Sequence, residues 1–559
     1  MSQKKHKGFV EGALIIAAAS ILVKIIGAVF KIPLDRAVLQ TDGMALYNTS
    51  YTIYNLLFVI STAGLPTAIS KLVAESDSRG DYAGSEKILK VSFRLLFCLG
   101  AIGSLVLFFG AKLFSGLVGY PDAYLTMAAM SPSLLFVGCM SAFRGYFQGR
   151  QNMLPTAVSE VIEAFSKLFV GLGLAYLLLP KGKMYASAGA IFGVTAGSIL
   201  GTVFLSVCYA KNRRRVKESD SETSSKEVLK SIVKIAVPIT LGVSVFTLTS
   251  FIDTATVTNQ LKGYISESTA ARESITSNLE AGQSEKFLAI GTEALTSEKA
   301  TEREAAFVYG YLVRAITLFN MPAVVIAAIA TSVVPAIASA NAEKNRKKSR
   351  GFTRSALIIA IVLALPCAAG MSILARPILS LIYKDPSFSV LLNIMGVAVA
   401  FLTLVQIANA LLQAWGKVWI PVFNMMVGGV LKVLTNLLLV GRPELNITGA
   451  PVGTLICYIT VVVLDIIFIV KYSKIRFSIT DFVIKPLFCT AFMGAFTFAS
   501  YKALVMKTGD TVALICSIAV SALVYFAAII LTRTLKREEI VLLPKGERIA
   551  SAMEKLRLL

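Results

Sequence analysis

The sequence predicts an all-α polytopic membrane protein of about fourteen transmembrane helices: two parallel six-helix repeats, an N-lobe and a C-lobe, plus two extra C-terminal helices. Three observations predict it. The 559 residues are 55% hydrophobic with a mean hydropathy of +0.72, too apolar for a soluble domain. Apolar runs of about 20 residues, each able to span a hydrocarbon core of roughly 30 Å, recur along the chain without strand-like alternation. The chain also says nearly the same thing twice. Phe143 to Arg150, then Pro155 and an apolar run with Lys167, is echoed by Gln413 to Lys417, then Pro421 and an apolar run with Lys432. Leu65-Pro66 to Ser70 is echoed by Val334-Pro335 to Ser339, and Gly189-Ala190 with Gly193 by Gly449-Ala450 with Gly453. Two homologous membrane halves place a substrate site at their seam, reached from each side in turn.

The N-lobe, residues 1–210, holds spans near 10–33, 46–70, 89–111, 123–147, 157–179 and 186–210. Gly189, Gly193, Gly197 and Gly201 recur every four residues along the sixth, a smooth stripe for close helix packing. Residues 211–230, basic and then rich in Ser and Glu, read as a cytoplasmic linker. The C-lobe, 231–475, holds spans near 231–258, 307–340, 352–375, 388–413, 420–440 and 448–470. Its outer loop, 259–305, carries eight Glu against five Lys and Arg, and reads as a mobile segment or a helical cap. Spans near 481–502 and 510–532 fill residues 476–535 and have no counterpart in the repeat; a basic cytoplasmic tail, 536–559, comes after them. An even number of spans per repeat makes both halves insert the same way up. Pro66, Pro132, Pro238, Pro322, Pro335 and Pro366 fall inside spans and loosen their helices.

Charge gives the orientation. Lys4 to Lys7, Arg79 to Lys90, Lys211 to Arg215, Lys344 to Lys348, Lys471 to Arg476 and the tail from Arg533 all fall on one side, so both termini are expected in the cytoplasm. The net charge of +22 expresses this bias and contact with anionic membrane lipids, not nucleic-acid binding. The seven cysteines lie in predicted spans with no disulfide or metal spacing, and the one histidine, His6, sits in the N-terminal tail. No cofactor motif, metal site or catalytic constellation emerges, so the chain is expected not to be an enzyme.

Ionisable groups at membrane depth cost about 3 kcal/mol each and so mark cavities or pairs. Lys24 and Lys31, seven apart in the first span, share a helix face with no acid on that stripe inside the span, and Arg36 lies just beyond its end. The fifth span carries Glu160, Glu163 and Lys167; the spacing of Glu163 and Lys167 predicts an internal salt bridge. Lys432, the repeat counterpart of Lys167, has only Gly428 and Gly429 one turn before it, so it is expected to contribute more to a cavity. Arg314 comes after Tyr309 and Tyr311 in the eighth span, and Asp253 in the seventh is a candidate ion-coupling group or charge partner. The surplus of inner cations suits a phosphate or pyrophosphate, which Lys and Arg bind through charge-assisted hydrogen bonds. It argues against a cation-coupled exporter of cationic drugs.

Gly64 to Glu75 with Arg79-Gly80-Asp81 after it, and Arg144 to Arg150 with Pro155 to Glu160 after it, resemble the Gram-positive lipid II flippases, which include the MurJ-like and stage V sporulation protein B-like members. These form part of the polysaccharide transporter group of the multidrug/oligosaccharidyl-lipid/polysaccharide (MOP) exporter superfamily. The resemblance covers essentially the whole chain. It implies an alternating-access flippase in the bacterial plasma membrane. Undecaprenyl-pyrophosphate-linked lipid II, the peptidoglycan precursor, would move from inner to outer leaflet through a cationic central cavity. The two extra helices would form a groove for its tail, and the cell-wall synthesis machinery is the implied partner. Lys24 and Lys31 fall close to the family's first-span cations, and Arg314 lies about one turn from the family's eighth-span cation. The family's second-span cation has no match, since Tyr54 to Leu65 contains none. A flippase for another lipid-linked saccharide, such as a spore-cortex precursor, and a multidrug exporter are the alternatives.

Overall fold

The computed structural model describes residues 22–62, 64–212, 224–267, 269–292, 297–342, 345–417, 419–442, 444–475 and 478–535, with residues 19 and 551. The predicted basic cluster at 4–7, residues 213–223 of the linker and the tail from 536 (residue 551 aside) lie outside the described residues. Among those described, every regular element is helical. The chain divides into two compact units, Met1–Asn259 with Thr301–Gly310 and Gln260–Ala300 with Tyr311–Leu559.

In the first unit, α1 (22–33) runs through a wide π-helical turn, Leu34–Leu39, into α2 (Gln40–Thr62). The expected end of the first span at residue 33 is therefore no break; proline loosens a membrane helix without ending it. The second predicted span, 46–70, is interrupted instead. Past α2, α3 (Leu65–Ser78) restarts with Pro66 in its first turn, where a missing amide costs nothing. Gly64 sits at the interruption and its amide donates to Thr240 Oγ1 at 3.0 Å. A Cβ there would stand only 2.8 Å from the same oxygen, so the approach requires glycine.

Next come α4 (Tyr82–Leu117), α5 (Tyr124–Gly149), α6 (Leu154–Ser166), a second π turn (Lys167–Gly171), α7 (Leu172–Leu178), α8 (Lys183–Asn212) and α9 (Ser225–Glu267). Pro132 lies inside α5. Val228, Ile232 and Ala236 of α9 share an apolar core with Ile69 of α3, Leu96 of α4, Met140 of α5 and Leu205 of α8. The glycine stripe lies along α8 and closes it onto the preceding helix. A Cβ on Gly197 would stand 3.0 Å from the Glu163 carbonyl oxygen, and one on Gly193 3.2 Å from the Lys167 Cα. The stripe thus fixes the backbone that carries Glu163 and Lys167.

The second unit begins with the segment expected to lie outside, 259–305. It folds into α10 (Thr269–Thr276) and α11 (Ala281–Thr292) and leads into α12 (Ser297–Ala342). Of the two readings of this segment, the helical cap is the one its described helices match, and specific bonds hold them. Phe388 N donates to Asn278 O at 3.0 Å, Glu280 N to Ser387 Oγ at 3.0 Å, and Asn446 Nδ2 to Ser274 Oγ at 3.0 Å. The remaining helices are α13 (Arg346–Ile373), α14 (Ala375–Tyr383), α15 (Ser389–Ala414), α16 (Trp419–Leu439), α17 (Gly449–Ser473), α18 (Lys485–Thr508) and α19 (Asp510–Leu531). Pro366 lies inside α13. The two extra helices dock on α13: Cys489, Met493 and Tyr525 join its core cluster, and Tyr525 Oη donates to Val362 O at 2.7 Å.

Eleven helical segments among the described residues are long and apolar enough to cross a membrane. One of them, Leu22–Ser78, contains the second predicted span and residues 22–33 of the first, and the predicted spans 231–258 and 307–340 lie on α9 and α12. Large apolar side chains point outward, with Phe109 78%, Met506 84% and Leu531 83% exposed, as a lipid-facing surface requires.

Candidate functional site

Three of the predicted cations converge in the first unit. Lys24 is exposed on α1. Lys31, two turns on and half-buried, donates from Nζ to Asn48 Oδ1 of α2 at 3.4 Å. Lys167 begins the second π turn, its Nζ 5.5 Å from the centre of the Phe30 ring and 5.0 Å from that of Tyr51. The three ammonium groups stand within electrostatic reach of one another. Like charges gathered at membrane depth repel one another, and an entering anion relieves that repulsion.

Two of these lysines lie at π turns. Lys31 lies just before one π turn and Lys167 opens the other. The extra residue in each turn rotates the next stretch of helix, and such bulges are frequent at functional sites.

Two sequence expectations change here. The stripe of Lys24 and Lys31 does have an acid. Because the helix continues past Pro33, Asp35 lies one turn beyond Lys31, 2% exposed and within its electrostatic reach. The expected Glu163–Lys167 salt bridge is not formed. Glu163 Oε2 accepts from Arg144 Nη2 of α5 at 2.5 Å, while Arg144 Nε donates to Ser159 Oγ at 2.9 Å. An arginine presented from a neighbouring helix outcompetes the lysine one turn away, because its planar fork holds two partners at once. Arg36 and Glu160 are both half-buried, Arg36 in the first π turn and Glu160 on α6.

Sequence reading missed an aromatic ladder beside these cations. Tyr47, Tyr51, Tyr54 and Phe58 recur at spacings of four, three and four along one face of α2, a signal present in the sequence. Tyr47 and Tyr51 stack at 6.4 Å, Tyr54 and Phe58 at 5.9 Å, and Phe30 meets Tyr47 at 6.1 Å. Tyr51 remains 38% exposed.

The other predicted residues lie elsewhere. Asp253 is half-buried on α9, next to Thr254, whose hydroxyl accepts from Tyr309 Oη at 3.3 Å. Arg314 belongs to the second unit and is only 6% exposed. Its Nη1 donates to Asp385 Oδ2 at 2.8 Å, Tyr311 Oη donates to the same oxygen at 3.0 Å, and the guanidinium lies 5.0 Å from the Tyr383 ring centre. Lys432, 9% exposed, sits on the face of α16 where Gly428 meets Cys457 and Val461 of α17. A membrane-depth carboxylate overlooked in the sequence, Asp465 of α17, is fully buried. Its Oδ1 accepts from Asn424 Nδ2 at 2.7 Å, and its Oδ2 has no hydrogen-bond partner among the described residues.

Known proteins share this sequence pattern and this architecture. The profile of the polysaccharide biosynthesis protein family matches residues 9–341, and that of lipid II flippase MurJ matches 305–520. Stage V sporulation protein B of Bacillus subtilis (strain 168) is 24% identical over 543 residues, 96% of this chain and 98% of that protein. Lipid II flippase MurJ of the same organism is 26% identical over 495 residues, 84% of each chain. Among solved structures, lipid II flippase MurJ in its inward closed conformation gives a TM-score of 0.62 at 14% identity, covering 93% of this chain and 99% of that one. An inward-facing multidrug resistance MATE family transporter of the MOP superfamily gives 0.60 at 15% identity, covering 83% and 99%. These two likenesses establish the fold.

Proposed function

The chain belongs to the polysaccharide biosynthesis protein family, and on that premise we propose that it is a flippase for undecaprenyl-pyrophosphate-linked lipid II, moving it from inner to outer leaflet by alternating access. The observation that carries this reading is the Lys167 ammonium over the exposed ring of Tyr51, with Lys24 and Lys31 within its electrostatic reach. The ammonium groups supply the positive charge that binds the two negative charges of a pyrophosphate diester. An open aromatic face beside them suits the apolar C–H side of a sugar ring. Lys24, the exposed member, captures the headgroup first; Lys31 and Lys167 hold it deeper. Arg144 keeps Glu163 from neutralising Lys167. Arg36 and Lys432 are secondary contacts, Arg314 braces its own unit through Asp385, and Asp253 is the candidate charge partner. The repeat halves, 1–210 and 231–475, supply the two arms of the cycle.

Full-length similarity to a sporulation protein favours a second reading, a flippase for another lipid-linked saccharide such as a spore-cortex precursor. Labelled lipid II in proteoliposomes with an imposed potential separates the two. Transport by the wild type and its loss in Lys24→Ala supports lipid II and the cationic site together. Transport of a different undecaprenyl-pyrophosphate saccharide alone selects the second reading, and transport of neither rejects both.

A further inference from the structure

At one membrane boundary of the second unit, the side that the charge pattern assigns to the cytoplasm, three helix ends enclose a cavity of about 280 Å³. Arg346 and Arg350 come from the start of α13, Trp415 from the residue after α15, and Lys471, Tyr472 and Lys474 from the end of α17. Among the described residues, no carboxylate lines it. Asp481, the acid beside the start of α18, is already used, since it accepts from Arg354 Nη2 at 2.6 Å.

The walls are fixed, and Arg346, Lys471 and Lys474 along them are exposed. Arg350 Nε donates to Ser473 O at 2.9 Å, which ties α13 to the end of α17, and its two terminal amino groups make no hydrogen bond among the described residues. Trp415 Nε1 donates to Thr353 Oγ1 at 3.2 Å, which holds the indole in place. The Tyr472 ring carries Lys417 Nζ at 4.7 Å and Lys471 Nζ at 5.9 Å from its centre. Lys474 closes α17 in the left-handed conformation, φ 54°, which a non-glycine residue adopts only when its surroundings hold it there. The cavity also opens beside the N-terminus of α13, whose dipole favours an anion. A bias of basic residues toward the cytoplasm accounts for the number of cations here. It does not require that four of them line one concavity with an anchored guanidinium and two aromatic rings.

We infer that this cavity binds the phosphate of an anionic lipid headgroup. Basic pockets between membrane helices at the cytoplasmic boundary recognise such groups, and a forked guanidinium beside two ammonium groups matches their oxygens. The inference is independent of the flippase reading, because none of the residues in the cationic cluster of the first unit takes part.

The chain reports on this site itself. Its two tryptophans are Trp415, in the cavity wall, and Trp419, so Trp419→Phe leaves the cavity indole as the sole tryptophan fluorophore. The full chain bearing that change is titrated in detergent with dioleoylphosphatidylglycerol, with dioleoylphosphatidylcholine, and separately with inorganic pyrophosphate. Phosphatidylglycerol is expected to shift the emission saturably and phosphatidylcholine not to. Lys471→Gln with Lys474→Gln raises the half-saturating concentration at least about tenfold, the loss of a charged hydrogen bond. Lys226→Gln with Lys230→Gln, an equal charge loss on α9, leaves it unchanged. A saturable pyrophosphate response with the same dependence on Lys471 and Lys474, and none to phosphatidylglycerol, overturns the lipid assignment in favour of a free phosphate. No saturable response to either anion overturns the inference. So does equal weakening in both double variants, which would make the effect one of net charge. Thermal unfolding of each variant without added lipid confirms that it is folded.

Discussion

Lys167 rests its charge on the faces of Phe30 and Tyr51, not against a carboxylate. A cation held this way is attracted but not neutralised, so its charge stays available to an anion. Lys432, nearly enclosed against α17, has less room to reach a headgroup. Lys167→Ala is therefore expected to slow lipid transport more than Lys432→Ala, by about tenfold or more if one charged hydrogen bond is lost. Initial flipping rates in proteoliposomes check this order. It reverses the order expected from the sequence, which gave Glu163 to Lys167; Arg144 lies nineteen positions from Glu163, and only the fold brings them together. Asp465 supplies a second test at this scale. Asp465→Asn keeps an acceptor for Asn424 and removes a buried charge, so the thermal unfolding midpoint should hold or rise. Asp465→Leu strands the Asn424 amide and should lower stability by about 1–3 kcal/mol, seen as a lower midpoint.

Among the elements, α8 and the π turns matter most for the site. A Cβ on Gly197 would press on the Glu163 backbone at 3.0–3.1 Å, and the two further methyls of Gly197→Val should force α8 away at a cost of about 1–3 kcal/mol. Because the displaced backbone carries Lys167, transport should fall further than stability alone accounts for. Measuring both midpoint and flipping rate in the same preparation separates the two. The glycine stripe was legible from its spacing of four. The π turns were not, because Leu34–Leu39 and Lys167–Gly171 carry no residue pattern that distinguishes them from ordinary helix. Asp35 was hidden for the same reason, since it joins the stripe of Lys31 only if the helix passes through Pro33. The aromatic ladder of α2 was written openly in Tyr47, Tyr51, Tyr54 and Phe58 but hidden by their apolar surroundings.

For the molecule as a whole, apolar run length and internal repetition revealed the helical membrane architecture, because a bilayer accepts few alternatives. The repeated helix ends at Gly149 and Ala414, each preceding a helix with a proline near its start, mark the same position in both halves. For the segment 259–305 the sequence left a mobile stretch and a helical cap open; its helices are held by bonds to Ser387, Phe388 and Asn446, more than a hundred residues away, which sequence spacing does not reveal. Helices α18 and α19 have no repeat partner, yet they cover α13. Deleting residues 476–535 is expected to leave the remaining spans inserted, to lower the unfolding midpoint by uncovering Val362 and its neighbours, and to stop lipid transport. Retained transport in proteoliposomes would remove any role for these helices in guiding the lipid tail.

The bonds of α10 and α11 to Ser387, Phe388 and Asn446 have a mechanical consequence. They fasten a water-exposed hairpin to two separate turns of the second unit, with Arg376 and Glu280 adding an ion pair at 2.8 Å on its surface. The hairpin is thereby a handle on that unit: a rigid binder or a bulky fluorophore placed on it is coupled to the helices below, so a grip applied from the water would read or brake the movement that the proposed alternating access requires.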